Sequence, residues 1–265
     1  MGFTPIRYVQ CEVCRDRSGP QDQPGFYFVE SDTKGATAVV ECDCHKKWVH
    51  TNKILVEAYK NNIWVDADSL RYNLQSYRGT SSSVTLTKIQ RYIDKFNQPD
   101  VQSLVLYIQG RAATQKTHIA HYIGLSLFRR GFKAFYTQMK LFNSFLCNPY
   151  TSDENEILDR HSYLARIENS DCLIIDDAFD KNIAPVYSSG TQSPYIESYL
   201  RDRIEGNHKS VIFVSRVVPT DIKKNGYSES LQSFVSMNTS QKHTYMELQD
   251  VYNNFDIPSI FKDIE

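Results

Sequence analysis

The chain is almost without net charge, with 30 lysines and arginines against 31 aspartates and glutamates in 265 residues. A global basic field that would announce nucleic acid is thereby excluded, and any DNA contact has to be a local patch. Long hydrophobic runs are absent as well: the longest cover a handful of residues, where ~20 are needed to cross a bilayer. The first residues lack a charged-then-apolar signal pattern, so the reading is of a cytoplasmic protein with no membrane partner. Internal repeats and low-complexity tracts are missing too. Apolar content is ordinary, with 41% hydrophobic and 12% aromatic residues, so an ordered core is expected. The length suits one α/β domain and a small appendage, and is too short for two large domains.

Cysteine is scarce and unevenly spent. Four of six cysteines fall in the first 44 residues, as Cys11-x-x-Cys14 and Cys42-x-Cys44. The remaining two, Cys147 and Cys172, stand alone in apolar settings. In a reducing compartment such pairs read as metal ligands or buried thiols rather than disulfides. Two close thiolate pairs can converge on one tetrahedral zinc ion, and the folding energy of that site would support a segment with few large apolar residues. His45 and His50 are rival fourth ligands, though both read more simply as solvated polar positions. Residues 23–31 and 37–42 look like the strands of a small ribbon. A short helix is expected from Lys53 onward, through Ile54, Leu55, Ala58 and Tyr59. The polar stretch Arg78 to Ser83 reads as a linker. The expected division is therefore residues 1–50 as a zinc-binding module, 51–83 as a helical segment and linker, and 84–265 as a nucleotide-binding domain.

The sharpest signal begins at Leu104. An apolar strand runs into Gly110-Arg-Ala-Ala-Thr-Gln-Lys116-Thr117, and then into a helix with Ile119, Ile123 and Leu127 at helical spacing. In a P-loop the backbone N–H groups cradle phosphates, the lysine reaches the β- and γ-phosphates and the hydroxyl holds magnesium. Gly110, Lys116 and Thr117 occupy those places. Gln115 stands where the motif wants glycine, at a cost of roughly 1–2 kcal/mol if the position is left-handed. Further on, Cys172-Leu-Ile-Ile175 forms a short apolar strand ending in Asp176-Asp177. The first carboxylate would coordinate magnesium and the second would orient the attacking water. Strands at Phe132 to Tyr136 and Ser210 to Ser215 alternate with helices, which predicts a parallel sheet with ligands at the carboxyl ends of its strands.

Taken together, Leu106 to Gly124, Gly131 to Phe142, Leu173 to Phe179 and Tyr199 to Arg216 resemble the AAA+ domain of DnaC-type helicase loaders, a group that includes the IstB-type transposition ATPases. The run Lys116-Thr-His-Ile-Ala is the most discriminating part. The resemblance implies an α/β fold: a P-loop AAA+ domain with a parallel sheet and flanking helices, preceded by a small zinc-binding module held by Cys11, Cys14, Cys42 and Cys44. It implies ATP and Mg2+ held by Gly110, Thr114, Gln115, Lys116, Thr117, His118 and Asp176, with Zn2+ in the module. Lys116, Asp177, Ser215 at the sensor-1 strand end and Arg203 are then the candidate catalytic residues. It further implies a hexameric replicative helicase and single-stranded DNA as partners, with self-association left open. A non-hydrolysing adaptor and an IstB-like transposition ATPase are the alternatives. Departures from the family pattern are Arg216, where asparagine is usual, Ser230-Leu-Gln-Ser-Phe234 in place of an arginine-finger element, and Leu248-Gln-Asp-Val-Tyr252 in place of sensor 2. The last two remove arginines that stabilise transition-state charge, so hydrolysis is expected to be slow. A DNA-binding patch is expected from Lys209, Arg216, Lys223 and Lys224 near the carboxyl ends of the sheet.

Overall fold

Runs such as Leu-Tyr-Ile, Leu-Ile-Ile and Val-Ile-Phe-Val are buried on both sides, the pattern of parallel strands covered by helices on each face. The computed structural model describes residues 11–12, 25–30, 37–64, 83–96, 103–112, 114–147, 153–184, 186, 192–240 and 245–248. A hairpin of β1 (Phe26–Glu30) and β2 (Thr37–Glu41) pairs antiparallel, with Phe28 opposite Val39. Helix α1 (Asp43–Lys60) follows, then the two-residue strand β3 (Ile63–Trp64) and α2 (Ser83–Lys95). Strand β4 (Val105–Gly110) leads into α3 (Lys116–Arg129), and β5 (Ala134–Gln138) into α4 (Met139–Cys147) and α5 (Glu154–Glu168). Next come β6 (Cys172–Asp176), α6 (Gln192–Arg201) with a π-helical turn at Asp202–Gly206, β7 (Ser210–Ser215), α7 (Glu229–Thr239) and β8 (Tyr245–Leu248).

These strands form a 6-stranded sheet in the order β3-β5-β6-β7-β4-β8, with every pairing parallel. One face buries Leu106, Ile108, Ile174 and Ile212 beneath α1, α2 and α3. The other buries Phe135, Leu173, Ile175 and Phe213 beneath α4, α5, α6 and α7. Registers pair Gln138 with Asp176 and Gln109 with Ser215, so the carboxyl ends of β4, β5, β6 and β7 lie level. Strand β7 lies between β4 and β6, which sets Ser215 between the loop after β4 and the acidic pair after β6.

The hairpin lies where the sequence placed it, but the helix after it does not. Helix α1 starts at Asp43, with Cys42 in extended conformation as its N-cap, and has Asp43 in the first turn and Lys60 in the last, each favourable to the helix dipole. Its first turns are cysteine, histidine and lysine, so the apolar spacing that marks a helix shows only from Ile54. The last turn belongs to the core of the six-stranded sheet: Tyr59 is fully buried in the same cluster as Ile123 and Ile174. Helix α1 packs against α3 at Gly124, where an added methyl would collide with the Tyr59 hydroxyl. Tyr59 is thus part of the core, Ile63 and Trp64 pack against it, and β3 extends the sheet beside β5. The expected linker at residues 78–82 lies outside the described residues.

Candidate functional site

The loop after β4 brings Gly110, Thr114, Gln115 and Lys116 together. Gly110 is required by space: a Cβ there would meet the Thr114 hydroxyl and the Leu248 carbonyl. The Thr114 hydroxyl donates to the Arg111 carbonyl at 3.0 Å, and the Lys116 ammonium donates to the same carbonyl at 2.6 Å. Gln115 adopts φ 61°, ψ 25°, the left-handed conformation, so a Cβ stands where the motif favours glycine. Its Oε1 is buried and unpartnered. The amino end of α3 begins at Lys116, which directs the helix dipole and free N–H groups into the loop.

Across β7, the Thr117 hydroxyl donates to Asp176 Oδ2 at 2.6 Å. Asp176 is held from two other sides, by the Asp177 N–H donating to Oδ1 at 2.7 Å and the Tyr136 hydroxyl donating to Oδ2 at 2.6 Å. Asp177 and Phe179 both have positive φ, 51° and 62°. With Gln115, the two loops therefore hold three non-glycine residues in a conformation costing of order 1–3 kcal/mol each, and such strain gathers at working sites. The turn is pinned to β7. The Ala178 N–H donates to the Val214 carbonyl at 2.8 Å, the Ser215 hydroxyl donates to the Ala178 carbonyl, and the Val217 N–H donates to Ser215 Oγ at 3.0 Å. Ser215 thus positions the acidic turn.

Electrostatics bear on Asp177 and its neighbours. Burial, and then the neighbouring charge of Asp176, push Asp177 up to about 6, against the pull of Arg216 and Lys116. Burial lowers Lys116, with Arg216 pushing the same way and Asp176 and Asp177 opposing. His118 is also lowered by burial, with Asp176 opposing. Arg216, exposed just beyond β7, is thus a cation felt at both Lys116 and Asp177.

Other candidates fall elsewhere. Arg203 lies at the amino ends of the strands, 2% exposed. Its guanidinium donates to the carbonyls of Ile167 at 2.8 Å, Ser170 at 2.9 Å and Ser210 at 3.3 Å, and to Ser170 Oγ at 3.0 Å. It clasps the entries to β6 and β7, a sheet's length (roughly 17 Å for a six-residue strand) from the carboxyl ends of the strands. Arg203→Ala should therefore lower stability by about 3 kcal/mol, because buried carbonyls lose charged donors, while magnesium-ATP affinity of the folded protein stays unchanged. Urea unfolding beside a nucleotide titration checks this, and a selective loss of affinity would return Arg203 to the site. Lys209 too lies at the amino end of β7, where its ammonium donates to the Glu168 carbonyl. Lys223 pairs with Glu229 at 2.6 Å and Lys224 with Asp221 at 2.7 Å. The expected basic patch is therefore divided, and half of its charge is matched.

At the amino end of α1, the sulphur atoms of Cys11, Cys42 and Cys44 all lie within 4.8 Å of one another. Cys11 Sγ is 3.1 Å and Cys44 Sγ 3.4 Å from Cys42 Sγ, and no disulfide joins them. Cys14 lies outside the described residues. His45 turns to Glu41 at 2.7 Å and packs between Phe26 and Trp48, and His50 is exposed.

Sequence reasoning missed Tyr136. No local pattern points to it: the sheet register sets it on the face of β5 shared with its diagonal neighbour Asp176. No helix among the described residues is long and apolar enough to cross a membrane. No protein-family model and no curated protein matches the chain. Among solved structures, the replication initiator DnaA bound to AMPPCP and single-stranded DNA matches with a TM-score of 0.50 and 15% identity, over 68% of this chain and 50% of that one. AMPPCP-bound DnaA from Aquifex aeolicus matches at 0.49 and 14%, with the same coverage. A DnaC helicase loader matches at 0.48 and 17%, over 73% of this chain and 99% of that one. The chain spans about half the length of the DnaA structures it matches. With its parallel sheet, P-loop and acidic strand end, the chain is an α/β protein carrying a P-loop domain of the AAA+ fold.

Proposed function

We propose that the chain is an ATP-binding replication protein of the helicase-loader kind. In this reading its cysteine-bearing part grips a hexameric replicative helicase, and its AAA+ domain contacts single-stranded DNA and hydrolyses ATP slowly. The observation that carries the nucleotide site is the 2.6 Å bond from the Thr117 hydroxyl to Asp176, beside Lys116 at the start of α3. A hydroxyl and a carboxylate so placed fit the two protein ligands of magnesium in a P-loop. Bound magnesium would neutralise charge on the β- and γ-phosphates. Lys116 and the loop N–H groups would hold those phosphates, and Asp177 would orient the water. Slow hydrolysis follows from where the arginines stand. Arg203 is bound at the far end of the sheet. At the place of the arginine-finger element Phe234 is buried, with the Arg201 guanidinium over its ring at 4.5 Å.

Equilibrium binding of a fluorescent ATP analogue with magnesium, together with a pull-down against the resident replicative helicase, tests the two halves. Nucleotide binding without helicase capture would leave an ATPase of another kind, such as an IstB-like one. Capture without nucleotide binding would favour the adaptor reading, to which the left-handed Gln115 lends support.

The three converging thiols fit a zinc ion, since each lies within reach of one tetrahedral centre, with Cys14 proposed as the fourth ligand. We expect one zinc per chain and its loss in Cys42→Ser, measured as metal content of the purified proteins. A Cys42→Ser protein that keeps its zinc would overturn this ligand set.

A further inference from the structure

Asp176 is the end of a buried chain of polar aromatic groups. The Tyr136 hydroxyl donates to Asp176 Oδ2, the oxygen that also accepts from Thr117. His121 stacks on the Tyr136 ring, with centroids 4.2 Å apart and planes at 29°. His121 Nδ1 and the Tyr59 hydroxyl share a hydrogen bond of 3.2 Å. All three residues are buried within the apolar cluster under α3. Burial depresses His121 to about 3, so its imidazole is neutral and sets no charge against a cation at Asp176. Phenylalanine at positions 59 and 136 would fill the same space without the cost of burying hydroxyls. These hydroxyls instead run from the magnesium carboxylate to the last turn of α1. Cys42 caps the same helix and Cys44 lies in its first turn, about 22 Å away along its axis.

We propose that Tyr136 and Tyr59 are positioning residues for Asp176, and that Tyr59 thereby ties the seating of α1, and of the cysteine cluster at its other end, to the magnesium-nucleotide site. This rests on the nucleotide-binding reading above. Tyr136 orients the carboxylate directly. His121 holds the Tyr136 ring from behind, and Tyr59 holds His121. Groups behind a metal ligand tune its affinity without touching the ion. Because linkage is reciprocal, nucleotide binding should in turn steady α1.

The test is the magnesium dependence of binding of the fluorescent ATP analogue, measured for wild type, Tyr136→Phe, Tyr59→Phe and the double variant. Tyr136→Phe should raise the half-saturating magnesium concentration by about tenfold or more. Tyr59→Phe should raise it about threefold, the double variant should be no worse than Tyr136→Phe alone, and magnesium-free binding should stay at the wild-type level. Unshifted magnesium dependence, equal losses with and without magnesium, or simple addition in the double variant would each overturn the proposal. If wild type binds and the variants are unshifted, only the proposal falls; if wild type binds no nucleotide, both fall. Should Tyr59→Phe not fold, amide exchange reads the link from the other end. Magnesium-nucleotide should slow exchange along α1 in wild type and not in Tyr136→Phe, and equal protection in both would overturn it.

Discussion

Lys116→Ala is expected to abolish ATP binding, and Gln115→Gly to tighten it by up to about tenfold, since ~1.4 kcal/mol is a factor of ten. Lys116 is mostly buried between the Arg111 carbonyl and the two aspartates, so its removal leaves the β- and γ-phosphates without their cation at a site already carrying two carboxylates. Gln115 acts differently. Its φ of 61° costs roughly 1–2 kcal/mol relative to glycine, and its buried Oε1 makes no hydrogen bond. Glycine removes both penalties but adds about 0.5–1 kcal/mol of unfolded-state entropy. The gain is therefore shared between folding and binding, and titration and urea unfolding have to be run together. A Gln115→Gly protein that gains neither affinity nor stability would show that the left-handed turn is already relieved by its surroundings. If wild type also failed to bind, the adaptor reading would stand.

The parts of this site that could be read in the sequence are those fixed by local pattern. Residues 104–127 announce strand, loop and helix through apolar spacing and one motif, and Cys172 to Asp177 announces a strand with acidic residues at its end. The chain Tyr59–His121–Tyr136 could not be read that way: Tyr59 meets His121 across 62 positions, and Tyr136 meets Asp176 across 40. No local periodicity encodes such pairs. The start of α1 was hidden for another reason, because Cys42 caps the helix and cysteine, histidine and lysine fill its first turns. Arg203 and Lys209 were legible and misread. A residue just before a strand sits at its amino end, whereas ligands of a parallel sheet gather at the carboxyl ends.

Asp177→Asn should stop hydrolysis while making the nucleotide-free protein more stable at neutral pH. Asp177 is pushed from 3.8 up to about 6, chiefly by burial and then by the charge of Asp176. Between those two values the folded protein holds more protons than the unfolded chain. Stability therefore falls as pH rises through that window, and the full penalty is present above about 6. Two units would correspond to about 3 kcal/mol, and partial solvent exposure of the carboxylate reduces this to on the order of 1–2 kcal/mol. Asparagine has the same shape and no charge, so it should recover that amount at pH 7.5 and almost none near pH 4, as read by urea unfolding at the two pH values. Hydrolysis should respond in the opposite sense. With wild type, the rate at saturating magnesium-ATP should drop in acid, as the water-orienting carboxylate is protonated, with the fall set below about 6 because the bound cation favours the ionised form. Asp177→Asn should lose about a hundredfold or more at all pH values, the scale of a lost general base, while retaining nucleotide binding through Lys116, Thr117 and Asp176. An Asp177→Asn protein less stable than wild type at pH 7.5 would overturn the burial penalty, and one that still hydrolyses ATP at the wild-type rate would remove Asp177 from the water-orienting role.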